Sequence, residues 1–348
     1  MAWAAGGRVS VARSADLGRS FSPASAVNPD PLELDWGPDA RPKIAVDAQG
    51  RVFVAFAIFK DKNFNGQVLF TRSTDGGSRF APPIPITADR ESQRFESIAL
   101  DSDGSLFAAW LDKRNRAPAK ARNEPYPGAA LAFAWSKDNG VSISETSIVA
   151  DNTCECCRLG VAFAGLGRPV IVFRNIFDAR VRDHAITTFR DSRTPGQIHR
   201  VSVDDWKIDA CPHHGPGIAI SGHGTYHVTW FTNGLIRKGL FYARSRDAGR
   251  TFSSPLRIGN FDRNPSHPSI AAAGDTVWVA WKEFDGERTT VPVMVSHDDG
   301  RTWSSPIVIA ETADESDHPL MVTDGRRAFL SWQARIEGYR LIPLEETR

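Results

Sequence analysis

Apolar residues in this chain fall in short runs, four to nine residues long, broken by turns rich in Gly, Asp and Asn. Some runs alternate with polar residues, as a half-buried strand does. Others, such as Val52-Phe-Val-Ala-Phe-Ala-Ile58, are apolar throughout, as a strand covered on both faces would be. The runs repeat. One in each unit ends on an aromatic, at Trp3, Phe56, Trp110, Phe173, Trp230, Trp281 and Trp332, with successive gaps by subtraction of 53, 54, 63, 57, 51 and 51 residues. Most of these aromatics follow a Pro-led strand and a tight turn, as in Pro42-Lys-Ile-Ala-Val-Asp47, Pro268-Ser-Ile-Ala271 and Pro319-Leu-Met-Val-Thr-Asp324. Each unit then reads strand A, turn, strand B, loop, strand C, turn, strand D. Four short strands recurring at this period predict an all-β fold, a β-propeller of four-stranded antiparallel blades.

The C–D turn carries its own signature. Ser14-Ala-Asp16-Leu-Gly18-Arg-Ser-Phe21 is repeated as Ser73-Thr-Asp75-Gly-Gly77-Ser-Arg-Phe80, Ser136-Lys-Asp138-Asn-Gly140-Val-Ser-Ile143, Ser245-Arg-Asp247-Ala-Gly249-Arg-Thr-Phe252 and Ser296-His-Asp298-Asp-Gly300-Arg-Thr-Trp303. Asp at this spacing accepts local backbone N–H groups, and Gly supplies the positive φ that the turn needs. The fourth unit has Asp191-Ser-Arg-Thr-Pro-Gly196 instead. Seven units are counted in a single propeller domain, 1–348. The first lacks strand A and the last lacks strand D, and the missing pieces are expected upstream of Met1; a six-bladed ring in which the end units merge is the alternative. Met1-Ala-Trp3 enters in mid-pattern with no basic and apolar leader, so no signal peptide is present in this chain.

A repeat architecture explains how 348 residues can form one domain, since single cores usually stop growing at roughly 250–300 residues. A net charge of +1 argues against nucleic acid as a partner. No run of about 18 apolar residues suggests a membrane span. A monomer is expected.

Strand order places the Ser-x-Asp-x-Gly turns on one face of the ring with the A–B turns. The D–A and B–C loops surround the channel mouth on the other face. Equivalent positions just before strand A are Arg41, Phe95, Arg158, Gly215, His267 and His318. Either these are loop ends with no shared task, or they form a cationic, imidazole-bearing mouth for a carboxylate, a phosphate or a metal. Phe173-Arg174-Asn175-Ile-Phe-Asp178-Ala-Arg180-Val-Arg182-Asp183 adds three arginines beside this mouth. It reads either as an ion-pair network holding a long loop or as a clamp on an anionic ligand. His267, His318, Arg180, Arg182 and Trp206 are the candidate ligand-binding residues.

The turn signature and blade pattern resemble the sialidase (neuraminidase) superfamily of Asp-box, or BNR-repeat, propellers over essentially the whole chain. The resemblance implies an extracytoplasmic protein, periplasmic or secreted, that binds a glycan or another small anionic ligand; if it is catalytic, it implies an exo-sialidase-like glycoside hydrolase. Such an enzyme uses three arginines for the substrate carboxylate, an Asp acid/base, and a Tyr nucleophile activated by a Glu. The matching candidates here are Arg41, Arg158 and Arg174, Asp112 (or Asp61), and Tyr339 with Glu337. The family's Phe/Tyr-Arg-Ile-Pro signature is met only by Ala40-Arg41-Pro42-Lys-Ile44.

All four cysteines fall in two adjacent D–A loops, Asn152-Thr-Cys154-Glu-Cys156-Cys157-Arg158 and Asp209-Ala-Cys211-Pro-His213-His214-Gly-Pro216. The pairing of Cys-x-Cys-Cys with a downstream Cys-Pro-x-x-Gly-Pro resembles a poorly characterised bacterial sialidase-like subgroup. Two chemistries compete. A disulfide from Cys211 to Cys154, Cys156 or Cys157 would staple the loops, although a second bond within Cys154–Cys157 has poor geometry. Alternatively Cys154, Cys156, Cys157 and Cys211 with His213 or His214 hold copper or zinc, which soft sulfur ligands favour. The functional expectation is a glycan-binding propeller. The alternatives are a copper- or zinc-binding protein and a disulfide-stapled interaction scaffold.

Overall fold

The structure, a computed structural model, describes residues 1–344. Seven antiparallel sheets stand in a ring. Blade 1 has three strands, Ala2–Ala5, Arg8–Val11 and Ser25–Ala26. Blade 2 has five, because its A edge is built in two pieces: Lys43–Val46 and the short Leu34–Asp35 both pair with Val52–Phe59. Blades 3 to 6 have four each, and blade 7 again has three, Leu320–Thr323, Ala328–Ala334 and Gly338–Leu344. The ring is therefore seven-bladed and not the six-bladed alternative. Helix is confined to Arg116–Ala121, inside the long B–C loop of blade 3, and two short 3-10 turns.

The repeated aromatic lies inside its B strand, which runs on past it, where the sequence pattern put it at the strand's end. Phe56, Trp110, Phe173, Trp230, Trp281 and Trp332 are all buried, and only Trp3 of the three-stranded first blade stays half-buried. A buried indole N–H needs an acceptor, and each Trp has one. Trp110 donates to Asp112 at 3.0 Å, Trp230 to Asp204 at 2.8 Å, Trp281 to Glu283 at 2.7 Å and Trp332 to the Asp317 carbonyl at 3.0 Å.

The five Ser-x-Asp-x-Gly turns share one hydrogen-bond pattern. The turn Gly N–H donates to the Ser hydroxyl at 2.7–2.9 Å, as Gly18 does to Ser14 and Gly300 to Ser296. The Asp accepts the backbone N–H four residues on, from Ser20, Arg79, Ser142, Thr251 and Thr302. The turn then seats on the preceding blade. A Cβ at Gly18 would lie 2.7 Å from Leu341 of blade 7, one at Gly249 3.2 Å from Ile186 of blade 4, and one at Gly300 would overlap the Tyr242 hydroxyl of blade 5. The contact at Gly18 joins blade 1 to blade 7 and closes the ring. Blade 4, which lacks the turn, meets blade 3 differently. Trp135 donates its indole N–H to the Ser192 carbonyl at 2.7 Å, and Phe107, Phe133 and Trp135 pack edge-on or tilted against Phe163 and Phe189.

The faces are as the strand order predicts. A–B turns meet each other and the Ser-x-Asp-x-Gly turns on one side, through Gly222 N–H to Gly274 O and Asp299 N–H to Asp275 O. D–A loops meet B–C loops on the other, through Lys113 N–H to Ser92 O and Ile176 N–H to Asn152 O.

Two predictions follow from the turns. Gly300 has φ +75° and no room for a side chain, so Gly300→Ala is expected to cost about 3 kcal/mol, combining overpacking and left-handed strain. Gly224→Ala, at φ +74° but in open space, should cost only about 1 kcal/mol; urea denaturation of both variants measures the difference. Hydrogen bonds hold the carboxyls of Asp16, Asp75, Asp138 and Asp247 at about 2, below the usual carboxylate value. A folded-state value below the unfolded one gives stability that is present above about pH 4 and is lost as pH falls toward 2. Asp247→Ala should therefore lower the melting temperature at pH 7, and its deficit relative to the parent protein should shrink steadily between pH 4 and pH 2.

Candidate functional site

The loops before strand A of blades 2 to 7 converge at the channel mouth. Blade 1 contributes no A strand, so the loop before blade 7 meets the loop before blade 2 directly. Arg41 donates to Asp317 Oδ2 and to the His318 carbonyl, both at 3.0 Å. Asp39 lies between two neighbours, with Oδ1 3.3 Å from Arg158 Nε and Oδ2 3.6 Å from His318 Nε2. His318 stacks on His267 with centroids 3.4 Å apart, His267 on His214 at 4.5 Å, and His214 on Phe231 at 4.1 Å. Phe95 tilts against His213 at 6.1 Å. The equivalent positions thus form one contiguous surface, with Lys43 and Lys282 beside it.

Its electrostatics differ from the sequence expectation in one respect. Burial and neighbouring cations push the His214 imidazole down to about 4, and push His267 and His318 down as well. The imidazoles are neutral at pH 7, and the positive charge of the mouth comes from Arg41, Arg158 and two lysines. Burial also lowers Lys43, to about 8, while Glu96 beside it is raised. The Arg158 Nε is buried without a hydrogen-bond partner, and among the described residues nothing hydrogen-bonds this guanidinium. Its charge contact is the salt bridge to Asp39, and the side chain keeps 18% exposure.

Other candidates are held in structural roles. Arg174 is fully buried, donates to the carbonyls of Arg182 (2.8 Å), His214 (3.0 Å) and Phe231 (3.1 Å), and lies 4.4 Å over the buried Trp206 ring. It ties the B–C loop of blade 4 to blade 5 and offers no fork to a ligand. Trp206 packs against Phe231 and Arg174. Asp183 accepts the backbone N–H groups of Asp204, Asp205 and Trp206 at 3.1–3.2 Å. These contacts hold the loop through backbone hydrogen bonds and an aromatic face, where the sequence reading offered an ion-pair network or an anion clamp. Arg180 is exposed, 3.9 Å from Asp209. Asp112 is buried and accepts from the Trp110 indole and from Arg114 at 2.7 Å. Asp61 caps its own exposed turn through Asn63 and Asn65. Tyr339 sits at the seam of blades 7 and 1, with its ring against Phe21 and its hydroxyl 3.1 Å from Ser331; Glu337 is exposed on the adjacent hairpin. The structure brings Arg41 and Arg158 together and sets Asp112 and Tyr339 apart from them. Sequence reasoning missed Asp39. Its place two residues before Arg41 was the available signal, but no other loop repeats it.

Deeper, between the D–A loops of blades 4 and 5, lie the cysteines. All four are free, with Cys154, Cys156 and Cys157 buried and Cys211 exposed. Cys154 Sγ is 3.6 Å from Cys156 Sγ and 3.8 Å from Cys157 Sγ. No pair is bridged, since a disulfide would bring sulfurs to about 2.05 Å. Arg182 donates from Nη1 to Cys154 Sγ at 3.2 Å. Among the described residues, two groups of side chains have metal-ligand atoms close enough to hold an ion: Cys154, Cys156 and Cys157, and Asp39, His267 and His318. His213 and His214 are in neither.

No protein-family profile and no curated protein matches the chain. Solved structures with the same architecture do. A Hadza microbial sialidase superposes with a TM-score of 0.62 at 16% identity, over 87% of this chain and 65% of the sialidase. A leech intramolecular trans-sialidase gives 0.59 at 12% identity, over 88% and 66%. An α-L-arabinanase of Penicillium chrysogenum gives 0.53 at 11% identity, over 90% and 96%. The chain spans about two thirds of the length of the two sialidases. What the chain shares with them is the fold, an all-β propeller, here with seven blades.

Arg174→Met is expected to destabilise the protein by about 3 kcal/mol, because it strands three buried carbonyls. The loss should appear as faster amide exchange in residues 204–216, with blades 1 to 3 unaffected, in hydrogen-exchange mass spectrometry.

Proposed function

We propose that this propeller binds an anionic glycan at its channel mouth, outside the cytoplasm. The observation that carries the reading is Arg158, a guanidinium held by Asp39 on one edge and free on the other, beside Arg41 and a wall of neutral, stacked imidazoles. A planar guanidinium fork is suited to a carboxylate. The glycan-acting propellers with the same fold support the choice of ligand class. The geometry favours binding over hydrolysis: Asp112 is buried in an ion pair with Arg114, and Tyr339 packs in a blade seam with its hydroxyl on Ser331. On an array of sialylated and uronate-bearing glycans the protein should bind carboxylated members, and Arg158→Ala should weaken that binding at least tenfold, with circular dichroism showing the fold retained despite the lost Asp39 ion pair. A blank array together with a blank fluorogenic sialoside assay would sink this reading.

The sulfur positions favour a second reading, that the chain also binds copper or zinc. It is checked by elemental analysis of protein purified under reductant without chelator.

A further inference from the structure

The four cysteines stand on two different loops, and one of those loops builds part of the mouth. Cys154, Cys156 and Cys157 precede strand A of blade 4. Cys211 precedes strand A of blade 5; two residues before it, Asp209 stands 4.0 Å from the Arg182 guanidinium that donates to Cys154 Sγ, so the exposed Cys211 neighbours the trio without being one of the three sulfurs already at ligand distance of one another. Three residues beyond Cys211, His214 stacks on Phe231 and His267.

Four thiolates around one zinc, at Zn–S about 2.3 Å, lie about 3.8 Å apart along each tetrahedral edge. The separations of 3.6 and 3.8 Å fit that edge. Thiols in van der Waals contact would be spaced similarly, so the spacing needs a second observation, and the charges supply it. Arg182 is 7% exposed, and its strongest contact is sulfur; the nearest carboxylate, that of the exposed Asp209, stands 4.0 Å away. Arg174 is buried on carbonyls alone. Two buried guanidiniums without a close carboxylate, one of them hydrogen-bonded to Cys154 Sγ, favour negative charge on the sulfurs beside them. A zinc(II) tetrathiolate is doubly negative, and so is a copper(I) trithiolate. Two arginines neutralise either one. Bare thiolates at this spacing would repel each other.

We propose that Cys154, Cys156, Cys157 and Cys211 form a thiolate site for a closed-shell thiophilic ion, zinc(II) or copper(I), whose capture of Cys211 latches residues 209–214 and so builds the His214 side of the mouth. The proposal rests on the second reading above and adds to it the ligand set, the charge partners and the consequence for the mouth. Arg182, hydrogen-bonded to a ligand sulfur, is a positioning residue, of the outer-shell kind whose loss weakens metal binding ten- to a hundredfold.

The test uses the full chain, purified anaerobically, stripped with chelator and reloaded separately with zinc(II) and with copper(I). One equivalent of one ion is expected per chain, and which ion is retained against a competing chelator identifies it. Loading should slow amide exchange across 209–214. Cys211→Ser, a change at an exposed position that leaves the core intact, should weaken the ion at least tenfold and abolish that slowing. Arg182→Met should weaken the ion while leaving four thiols available to a colorimetric reagent in the stripped protein. No stoichiometric binding of either ion overturns both the metal reading and the latch. Equal affinity in Cys211→Ser, or exchange at 209–214 that is indifferent to loading, overturns the latch alone. The sialoside and glycan readouts play no part, so the glycan reading stands or falls separately.

Discussion

A blade of this protein is a sheet with two apolar faces and no core of its own, so the ring depends on how each blade seats on the one before it. The recurring contact is a turn glycine pressed against the neighbouring blade: Gly77 on blade 1, Gly140 on Phe53 of blade 2, Gly249 on Ile186 of blade 4, Gly300 on Tyr242 of blade 5, and Gly18 on Leu341 of blade 7. The positive φ that only glycine adopts cheaply and the lack of a side chain serve one purpose, which is to let a backbone turn lie flat on a neighbour. The Ser and Asp of the motif hold the turn in that shape. The motif therefore acts as a seam device, and the seam from blade 1 to blade 7 completes the ring although neither sheet has four strands.

This account explains why the fold could be read from the sequence. A seam repeated at fixed geometry leaves a repeated pattern of residues, and so does a buried aromatic in each B strand. Blade number was harder to fix. Two end units with three strands each look the same in sequence whether they merge or stand side by side. Only the packing of Gly18 on Leu341 and of Phe21 on Tyr339 separates the cases. The carboxylate acceptors of the indoles were also hidden. Asp112 and Glu283 lie two residues past their Trp, but Asp204 comes from a loop 26 residues upstream of Trp230, and no single spacing describes them.

The site was legible only in part, for a physical reason. Sequence marks which loop ends are equivalent between repeats, and on that basis it grouped Arg41, Arg158, His267 and His318, whose side chains meet through Asp39 and the His318 carbonyl. It does not tell how each charge is balanced. Arg158 and Arg174 look alike as loop arginines. One has its charge contact with Asp39, and the other has its fork fixed by three carbonyls. Likewise an imidazole in a loop reads as a cation-in-waiting, yet three of them stacked together cannot share protons. Each charge would sit on its neighbour in a poorly solvated place, and burial alone already favours the neutral form.

Blade 4 is where these threads meet. It lost the glycine turn, and its seam with blade 3 is held by aromatic rings and the Trp135–Ser192 hydrogen bond. Its other end carries the three buried cysteines, both guanidiniums that face them, and Arg158. A blade relieved of the standard turn is still clamped on the Ser192 side, so the freedom gained lies at the mouth. There the long loop 174–183 crosses to residues 204–206 through Asp183 and to blade 5 through Arg174. These ties run from the B–C loop of blade 4 to blade 5 and the D–A loop before it, the loop that carries Cys211, while the other three cysteines lie in the D–A loop before blade 4. A thiolate-bound ion would add a third tie there, alongside the Arg174 and Asp183 contacts, and all three act on the segment that ends in His214. The shape of the mouth is thus set largely by polar contacts across one blade junction, while the hydrophobic repeat sets the ring that carries it.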